Sequence, residues 1–152
     1  MKYFLDTEFN EFGGELISLA LVREDGESLY YVYPEPETGY KPWVKENVVP
    51  ILWSIPSPMP GMAYRLSRGS AASYIAAFLR YDPNPIIVTD WPDDIRYFCQ
   101  ELITGPGTMI NIPQIQFAMF RVDSYPTTLP DAVQHNAYWD AKALWWLLKD
   151  KI

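Results

Sequence analysis

Three runs of strand-forming residues, separated by short turns, constrain the fold of this chain more than any other feature of its sequence. The runs are Lys2–Phe9, Leu16–Arg23 and Ser28–Tyr33, and they are rich in the β-branched and aromatic residues that favour strands. Glycines in both connections supply residues suited to tight turns. The pattern predicts three antiparallel strands at the start of the fold.

Downstream of these runs, helical and extended segments alternate within an α/β arrangement. A proline-rich connection covers Pro34–Gly69. The remaining elements are predicted from apolar spacing and turn residues: a short helix near Pro42–Val48, helices over Ser70–Arg80 and Pro92–Ile103, extended segments over Pro85–Asp90 and Ile112–Phe120, a loop over Asp123–Pro130, and a last helix from about Asn136 to Lys149. The order β-β-β-α-β-α-β-α predicts a mixed five-stranded sheet flanked by helices.

Length and composition indicate one globular domain over residues 1–152. Hydrophobic residues make up 49% of the chain and aromatic residues 16%, which argues against disorder. No apolar stretch approaches the roughly 20 residues that a membrane-spanning helix needs, and the N-terminus has no secretory pattern. We therefore expect no membrane partner and a cytoplasmic location. Cys99 is the only cysteine, which excludes an internal disulfide.

Two carboxylates stand two residues apart at the end of the first predicted strand. Side chains at this spacing point to the same face of a strand, so Asp6 and Glu8 project together while Thr7 points to the other face. Like charges this close repel each other unless a cation lies between them, and Mg²⁺ prefers oxygen ligands of this kind. The pair indicates a metal site, although two acids at a solvated strand end remain an alternative.

A second group of acids stands where a predicted strand meets a helix. Asp90, Asp93 and Asp94 lie in the sequence TDWPDDIRYF. Acids at this position often cap a helix and complement its dipole, and we expect one or two of the three to do so. Functional side chains of α/β sheets also gather where strands end, so the third is a candidate metal ligand.

The third group joins the single histidine to an acid in the last predicted helix. His135 and Asp140 are five residues apart, and Asp140 shares its helix with a small, apolar face that would turn its carboxylate toward the core or a cleft. Such a carboxylate needs a partner, and a metal ion would supply one. Histidine often serves as a base at neutral pH, but an ordinary surface or helix-capping histidine is the alternative for His135.

The formal net charge of −7 argues at first against a polyanionic partner such as a nucleic acid. The argument fails if four of the acids surround two divalent cations, because the net charge then becomes −7 + 4 = −3 and the field at the site reverses its sign. Acidity therefore does not exclude a nucleic-acid substrate.

Taken together and in this order, the three motifs resemble the DEDDh family of 3′–5′ exonucleases. The matching blocks are LDTEF, WPDDIRYFCQEL and HNAYWDA, and they look most like the small bacterial, mycobacterial-type 3′–5′ exoribonucleases. The resemblance implies a ribonuclease H-like fold and two Mg²⁺ or Mn²⁺ ions held by Asp6, Glu8, Asp94 and Asp140. It also implies that His135 is the general base. Asp93 and Asp90 remain open as alternatives to Asp94.

The resemblance further implies hydrolysis of single-stranded RNA, or of 3′ overhangs, from a free 3′ end with release of nucleoside 5′-monophosphates. Phe9 is the leading candidate for stacking on an unpaired base, Trp53 is a second, and Thr7 and Glu8 are expected to contact the substrate. A single-stranded DNA exonuclease and a non-catalytic nucleotide-binding protein of the same fold are the alternatives. Exposed aromatic residues hint at a homodimer.

Overall fold

A computed structural model describes residues 1–123 and 129–152, so most of the loop predicted over Asp123–Pro130 lies outside the described residues. The strands are β1 (Lys2–Phe9), β2 (Leu16–Arg23), β3 (Ser28–Val32), β4 (Gly61–Arg65), β5 (Ile86–Thr89), β6 (Ile103–Gly105), β7 (Thr108–Met109) and β8 (Gln116–Met119). The helices are α1 (Pro42–Asn47), α2 (Ala71–Leu79), α3 (Pro92–Leu102) and α4 (Ala137–Leu148), with a 3-10 turn at Val49–Ile51.

Six strands form one mixed sheet in the order β4-β3-β2-β1-β5-β8. The first three strands pair antiparallel with one another, as predicted, whereas β4 lies parallel to β3, β5 to β1, and β8 to β5. The predicted α/β class with a mixed sheet and flanking helices is confirmed, and the architecture is compatible with a ribonuclease H-like fold.

The two-residue period of β1 divides the core between the two faces of the sheet. Tyr3 and Leu5 pack in a cluster that contains residues of α2 and α3, while Phe4 packs in a cluster that contains residues of α4. Even-numbered side chains of β1 therefore face α4, and odd-numbered side chains face α3. Asp6 and Glu8 are even-numbered, so both carboxylates face α4 and can meet an acid on that helix.

The strand count of five was wrong, because the proline-rich connection contains β4. Three of the five residues of β4 are exposed and the other two are only partly buried, so the segment lacks the buried apolar alternation that signals a strand. A second difference is the two-stranded sheet of β6 and β7, which lies between the end of the helix predicted over Pro92–Ile103 and the extended segment predicted over Ile112–Phe120. Within the described residues, none of the helices is long and apolar enough to cross a membrane.

Close backbone contact at the start of β4 yields a stability prediction. Gly61 has a φ of +114°, and a Cβ atom there would lie 1.9 Å from the Ser28 carbonyl oxygen. Gly61→Ala is therefore expected to lower the free energy of unfolding by about 2 kcal/mol or more, measured by urea denaturation. Gly69→Ala is the matched control, because Gly69 has a φ of +85° but no described atom lies within 4 Å of the position that an added methyl group would take. Equal losses in the two variants would contradict the close contact.

Candidate metal centre and substrate cleft

Three carboxylates converge between β1 and α4. Asp6 and Glu8 lie on the face of β1 that packs against α4, and Asp140 lies in the first turn of α4. One carboxylate oxygen of each residue lies within 4.8 Å of those of the other two, and all three residues are partly buried. Residues from opposite ends of the sequence therefore form one anionic cluster.

Burial and mutual repulsion make the carboxylates of this cluster costly to ionise. Burial, followed by the charges of Asp94, Asp140, Glu8 and Asp90, raises the pKa of Asp6 well above its ordinary value. Burial and the neighbouring carboxylates also raise the pKa of Glu8. Burial raises the pKa of Asp140 to about 7, against the lowering effect of a hydrogen bond with Glu8. Each shift has the sign expected for buried acids that stand close together.

The donor set fits a hard divalent cation. Asp6 Oδ2 is buried and has no hydrogen-bond partner among the described residues, and such an orphaned acceptor is costly unless something else binds it. Glu8 and Asp140 lie close together, and a proton shared between their carboxylates raises the pKa of Glu8 and lowers that of Asp140. A cation at this point would satisfy Asp6 Oδ2 and replace that proton, and an all-oxygen set is the kind that Mg²⁺ and Mn²⁺ accept.

Asp94 lies beside this cluster but outside the group of three. Its Oδ1 accepts hydrogen bonds from the Thr7 backbone N–H at 3.2 Å and the Thr7 hydroxyl at 2.6 Å, and its Oδ2 accepts one from the Thr89 hydroxyl at 2.8 Å. An ionised carboxylate has about four acceptor positions, so Oδ2 retains one for a cation or a water molecule. Burial raises the pKa of Asp94 to about 6, although these hydrogen bonds oppose the rise.

The two alternatives to Asp94 have different surroundings. Asp93 forms an ion pair with Arg96 at 3.0 Å and accepts a hydrogen bond from Trp91 Nε1 at 3.3 Å. It lies in the first turn of α3 without capping the helix through a side-chain hydrogen bond, so of the two expected roles only a favourable interaction with the helix dipole applies. Asp90 is buried and lines the same cleft as Asp6 and Asp94. Asp94 and Asp90 are therefore the acids of this motif that reach the cleft.

His135 lies five residues before Asp140 in the sequence and on the surface of the protein. It is exposed and immediately precedes Asn136, whose side chain caps α4 by accepting a hydrogen bond from the Trp139 N–H. Its φ of +63° is unusual for a residue with a side chain. A hydrogen bond from the His135 backbone lowers the pKa of Asp140. The imidazole packs edge-on against Trp43, with 5.0 Å between ring centres.

The predicted substrate-binding residues occupy three different environments. Phe9 lines the cleft and stacks on Tyr97 of α3, with ring centres 4.6 Å apart. Thr7 also lines the cleft, but its hydroxyl already donates to Asp94. Trp53 lines a separate cleft, packs against Tyr30, and lies 4.2 Å below the guanidinium of Arg65. The structure therefore brings Phe9, Thr7 and Glu8 together at the acids and places Trp53 elsewhere.

The cleft beside Asp6, Glu8 and Asp94 has a volume of about 400 Å³ and contains residues that the sequence did not single out for binding. Its lining residues are Asp6, Thr7, Glu8, Phe9, Glu11, Trp43, Val44, Asp90, Trp91, Asp94 and Arg121. Trp43 and Trp91 each stand next to a proline at the first turn of a helix, and each has 48% of its surface exposed. For the two tryptophans, the sequence offered one signal, which is a tryptophan at a solvent-facing helix start. The position of Arg121 follows only from the tertiary fold.

The raised pKa values predict how stability depends on pH and metal. These acids bind more protons in the folded chain than in the unfolded chain, where an Asp has a pKa near 3.9, so stability falls as the pH rises from about 4 to about 7. In EDTA, Tm should be lower at pH 8 than at pH 5 by about 5 °C or more. Mg²⁺ or Mn²⁺ should reverse most of that loss, whereas NaCl of equal ionic strength should not. A Tm that rises with pH in EDTA would contradict the shifts.

Comparison with known proteins gives a partial match. Two proteins named 3′–5′ exoribonuclease, from two strains of Mycobacterium tuberculosis, are each 41% identical to this chain over 86 residues. The aligned region covers 54% of this chain and 48% of each relative, so the match spans about half the length of these relatives. No protein-family model matches the chain.

Proposed function

We propose that this chain is a metal-dependent 3′–5′ exoribonuclease that removes nucleoside 5′-monophosphates from the 3′ end of single-stranded RNA or of 3′ overhangs. The observation that carries the proposal is the convergence of Asp6, Glu8 and Asp140, with oxygens within 4.8 Å of one another and one Asp6 oxygen buried without a partner among the described residues. The names of the two partial relatives support the same chemistry.

In this proposal the acids hold two Mg²⁺ or Mn²⁺ ions. Asp6, Glu8 and Asp140 would supply ligands to these ions, and Asp94 would contribute through the acceptor position left on Oδ2. When bound, the ions would lower the pKa of a water molecule and neutralise charge that develops on the departing 3′ oxygen. The Thr7 and Thr89 hydroxyls fix the orientation of the Asp94 carboxylate through hydrogen bonds of 2.6 and 2.8 Å.

His135 supplies the general base. Its exposed imidazole stands at the entrance to α4, one residue before the Asn136 cap, and can take the proton from an attacking water. Its packing against Trp43, which lines the cleft, holds the imidazole beside the cleft. Proton transfer by a positioned side chain contributes roughly 10²–10⁴-fold to a rate.

One assay tests the reaction and the polymer preference together. Single-stranded RNA and DNA of identical sequence, each labelled at the 5′ end, are incubated with the protein in Mg²⁺, Mn²⁺ or EDTA, and the products are separated on a sequencing gel. We expect a ladder shortened from the 3′ end on RNA, absent in EDTA, with 5′-monophosphates as the released products.

The other outcomes discriminate among the candidates. A stronger ladder on DNA would identify a single-stranded DNA exonuclease and overturn the RNA assignment. Cleavage within an end-blocked substrate would contradict exonucleolytic action. Absence of hydrolysis on either polymer with both metals would overturn the catalytic proposal and favour a nucleotide-binding protein of this fold.

A further inference from the structure

Trp91 is held in place at the edge of the cleft while much of its ring system remains open. Its indole Nε1 donates to Asp93 Oδ2 at 3.3 Å, and the guanidinium of Arg121 lies 5.0 Å from the centre of the indole ring. The side chain nevertheless keeps 48% of its surface exposed. A large apolar surface that is fixed by two contacts and presented to solvent is suited to binding rather than to core packing.

Arg121 brings a positive charge to a strongly negative cleft. Five acids are among the lining residues, and Arg121 is the one basic residue that the described part of the chain contributes to that lining. Its Nη1 donates to the Asp90 carbonyl oxygen and lies 3.7 Å from the Asp90 carboxylate, and 57% of the side chain is exposed. The guanidinium has five N–H donors, so this anchoring leaves donors available to an incoming anion.

We propose that Trp91 and Arg121 form a nucleotide subsite, in which Trp91 stacks on an unpaired base and Arg121 binds a backbone phosphate. The inference rests on the proposed function and deepens it, because it names the residues that select single-stranded ends. Stacking on an aromatic ring needs a base released from its own duplex neighbours. Arg121 offsets part of the repulsion between the substrate backbone and the cleft acids.

Substitutions in this subsite should change KM more than kcat, because they leave the acids of the metal centre in place. Trp91→Ala removes the stacking surface but none of the acids, so we expect KM for a single-stranded RNA to rise about tenfold while kcat changes less than about threefold. Arg121→Gln should also raise KM and reduce its dependence on salt concentration. Trp91→Phe keeps an aromatic face and should recover most of the wild-type KM.

Selectivity for unpaired ends provides the sharper readout. The KM for blunt-ended duplex RNA should change less than about twofold in Trp91→Ala, because paired bases are not available to stack on the ring. The preference of the enzyme for single-stranded over duplex ends should therefore fall about as much as the single-strand KM rises. Melting curves of each variant in EDTA check that the exposed substitutions leave the fold intact.

Matched controls exist elsewhere on the surface. Trp146 is 52% exposed and lies 4.9 Å from Lys149 Nζ, so Trp146→Ala removes a tryptophan beside a cation outside the cleft. Arg80 lies 5.0 Å from the ring of Tyr81, and Arg80→Gln controls for loss of a ring-bound arginine. Both controls should keep the wild-type KM and salt dependence.

The outcomes separate this inference from the proposed function. Wild-type hydrolysis of RNA with unchanged KM and end selectivity in both Trp91→Ala and Arg121→Gln would overturn the subsite alone. A wild-type protein that hydrolyses no RNA would overturn the proposed function. In that case, the affinity for a 5′-labelled six-nucleotide RNA, measured by fluorescence anisotropy, still tests the subsite, and equal affinity of wild type and both variants would overturn it.

Discussion

Asp6→Asn is expected to abolish hydrolysis and, at the same time, to stabilise the metal-free protein. The substitution removes a negative charge at the point where Asp94, Asp140, Glu8 and Asp90 all raise the pKa of Asp6. Loss of that charge relieves repulsion in EDTA at pH 8, so Tm should rise by several degrees. Loss of a ligand weakens cation binding, so turnover should fall by a factor of about 10³ or more.

Loss of hydrolysis together with a higher Tm in EDTA distinguishes a metal site from a group of acids with a purely structural role. Differential scanning fluorimetry of wild type and Asp6→Asn, in EDTA and in Mn²⁺, should show a metal-induced rise in Tm for the wild type alone. At 100 times its dissociation constant, a bound ion would contribute about 2.7 kcal/mol. Asp150→Asn, which changes an exposed acid outside the cluster, should match the wild type throughout. Unimpaired nucleotide release by Asp6→Asn would contradict the mechanism.

Substitution of His135 should separate catalysis from metal binding. His135→Asn is expected to lower kcat by about 10²–10⁴-fold because the amide cannot accept the proton of an attacking water. Asparagine tolerates a positive φ better than most residues, so it suits the φ of +63° at this position and keeps the backbone hydrogen bond to Asp140. The metal-induced rise in Tm should therefore remain as in the wild type.

Two comparisons complete that experiment. The pH–rate profile of the wild type should lose its acidic limb in His135→Asn if the imidazole is the base. Trp43→Phe should retain most of the activity, since Trp43 contacts the imidazole by edge-on packing that a phenyl ring can still provide. Loss of the metal-induced Tm shift in His135→Asn would instead assign His135 a structural role at the start of α4.

The placement of the clustered acids could be predicted from the sequence where it depends on local spacing. The two-residue period of a strand aims Asp6 and Glu8 at one face, and the structure places Asp140 opposite that face. The same period sends Thr7 to the other face, where it binds Asp94. That contact joins β1 to α3 across 87 positions and has no local signature in the sequence.

Other features required the tertiary structure. Strand β4 pairs with β3 although its residues are exposed or only partly buried, so the period that identifies strands was missing. Trp146 of α4 is 52% exposed although Leu144 and Leu148 of the same helix are buried, because α4 turns this position away from the sheet. Trp91 and Arg121 are distant in sequence and meet only because β8, which precedes Arg121, pairs with β5, which precedes Trp91.

The most direct test of the metal centre is a crystal structure of the wild-type protein grown in Mn²⁺ with a nucleoside 5′-monophosphate, using anomalous scattering at the manganese edge. We expect anomalous peaks in contact with the carboxylates of Asp6, Glu8 and Asp140, with the nucleotide phosphate on the cleft side of the ions. Manganese bound only elsewhere, or absence of a peak at a concentration that supports hydrolysis, would contradict the proposed metal centre.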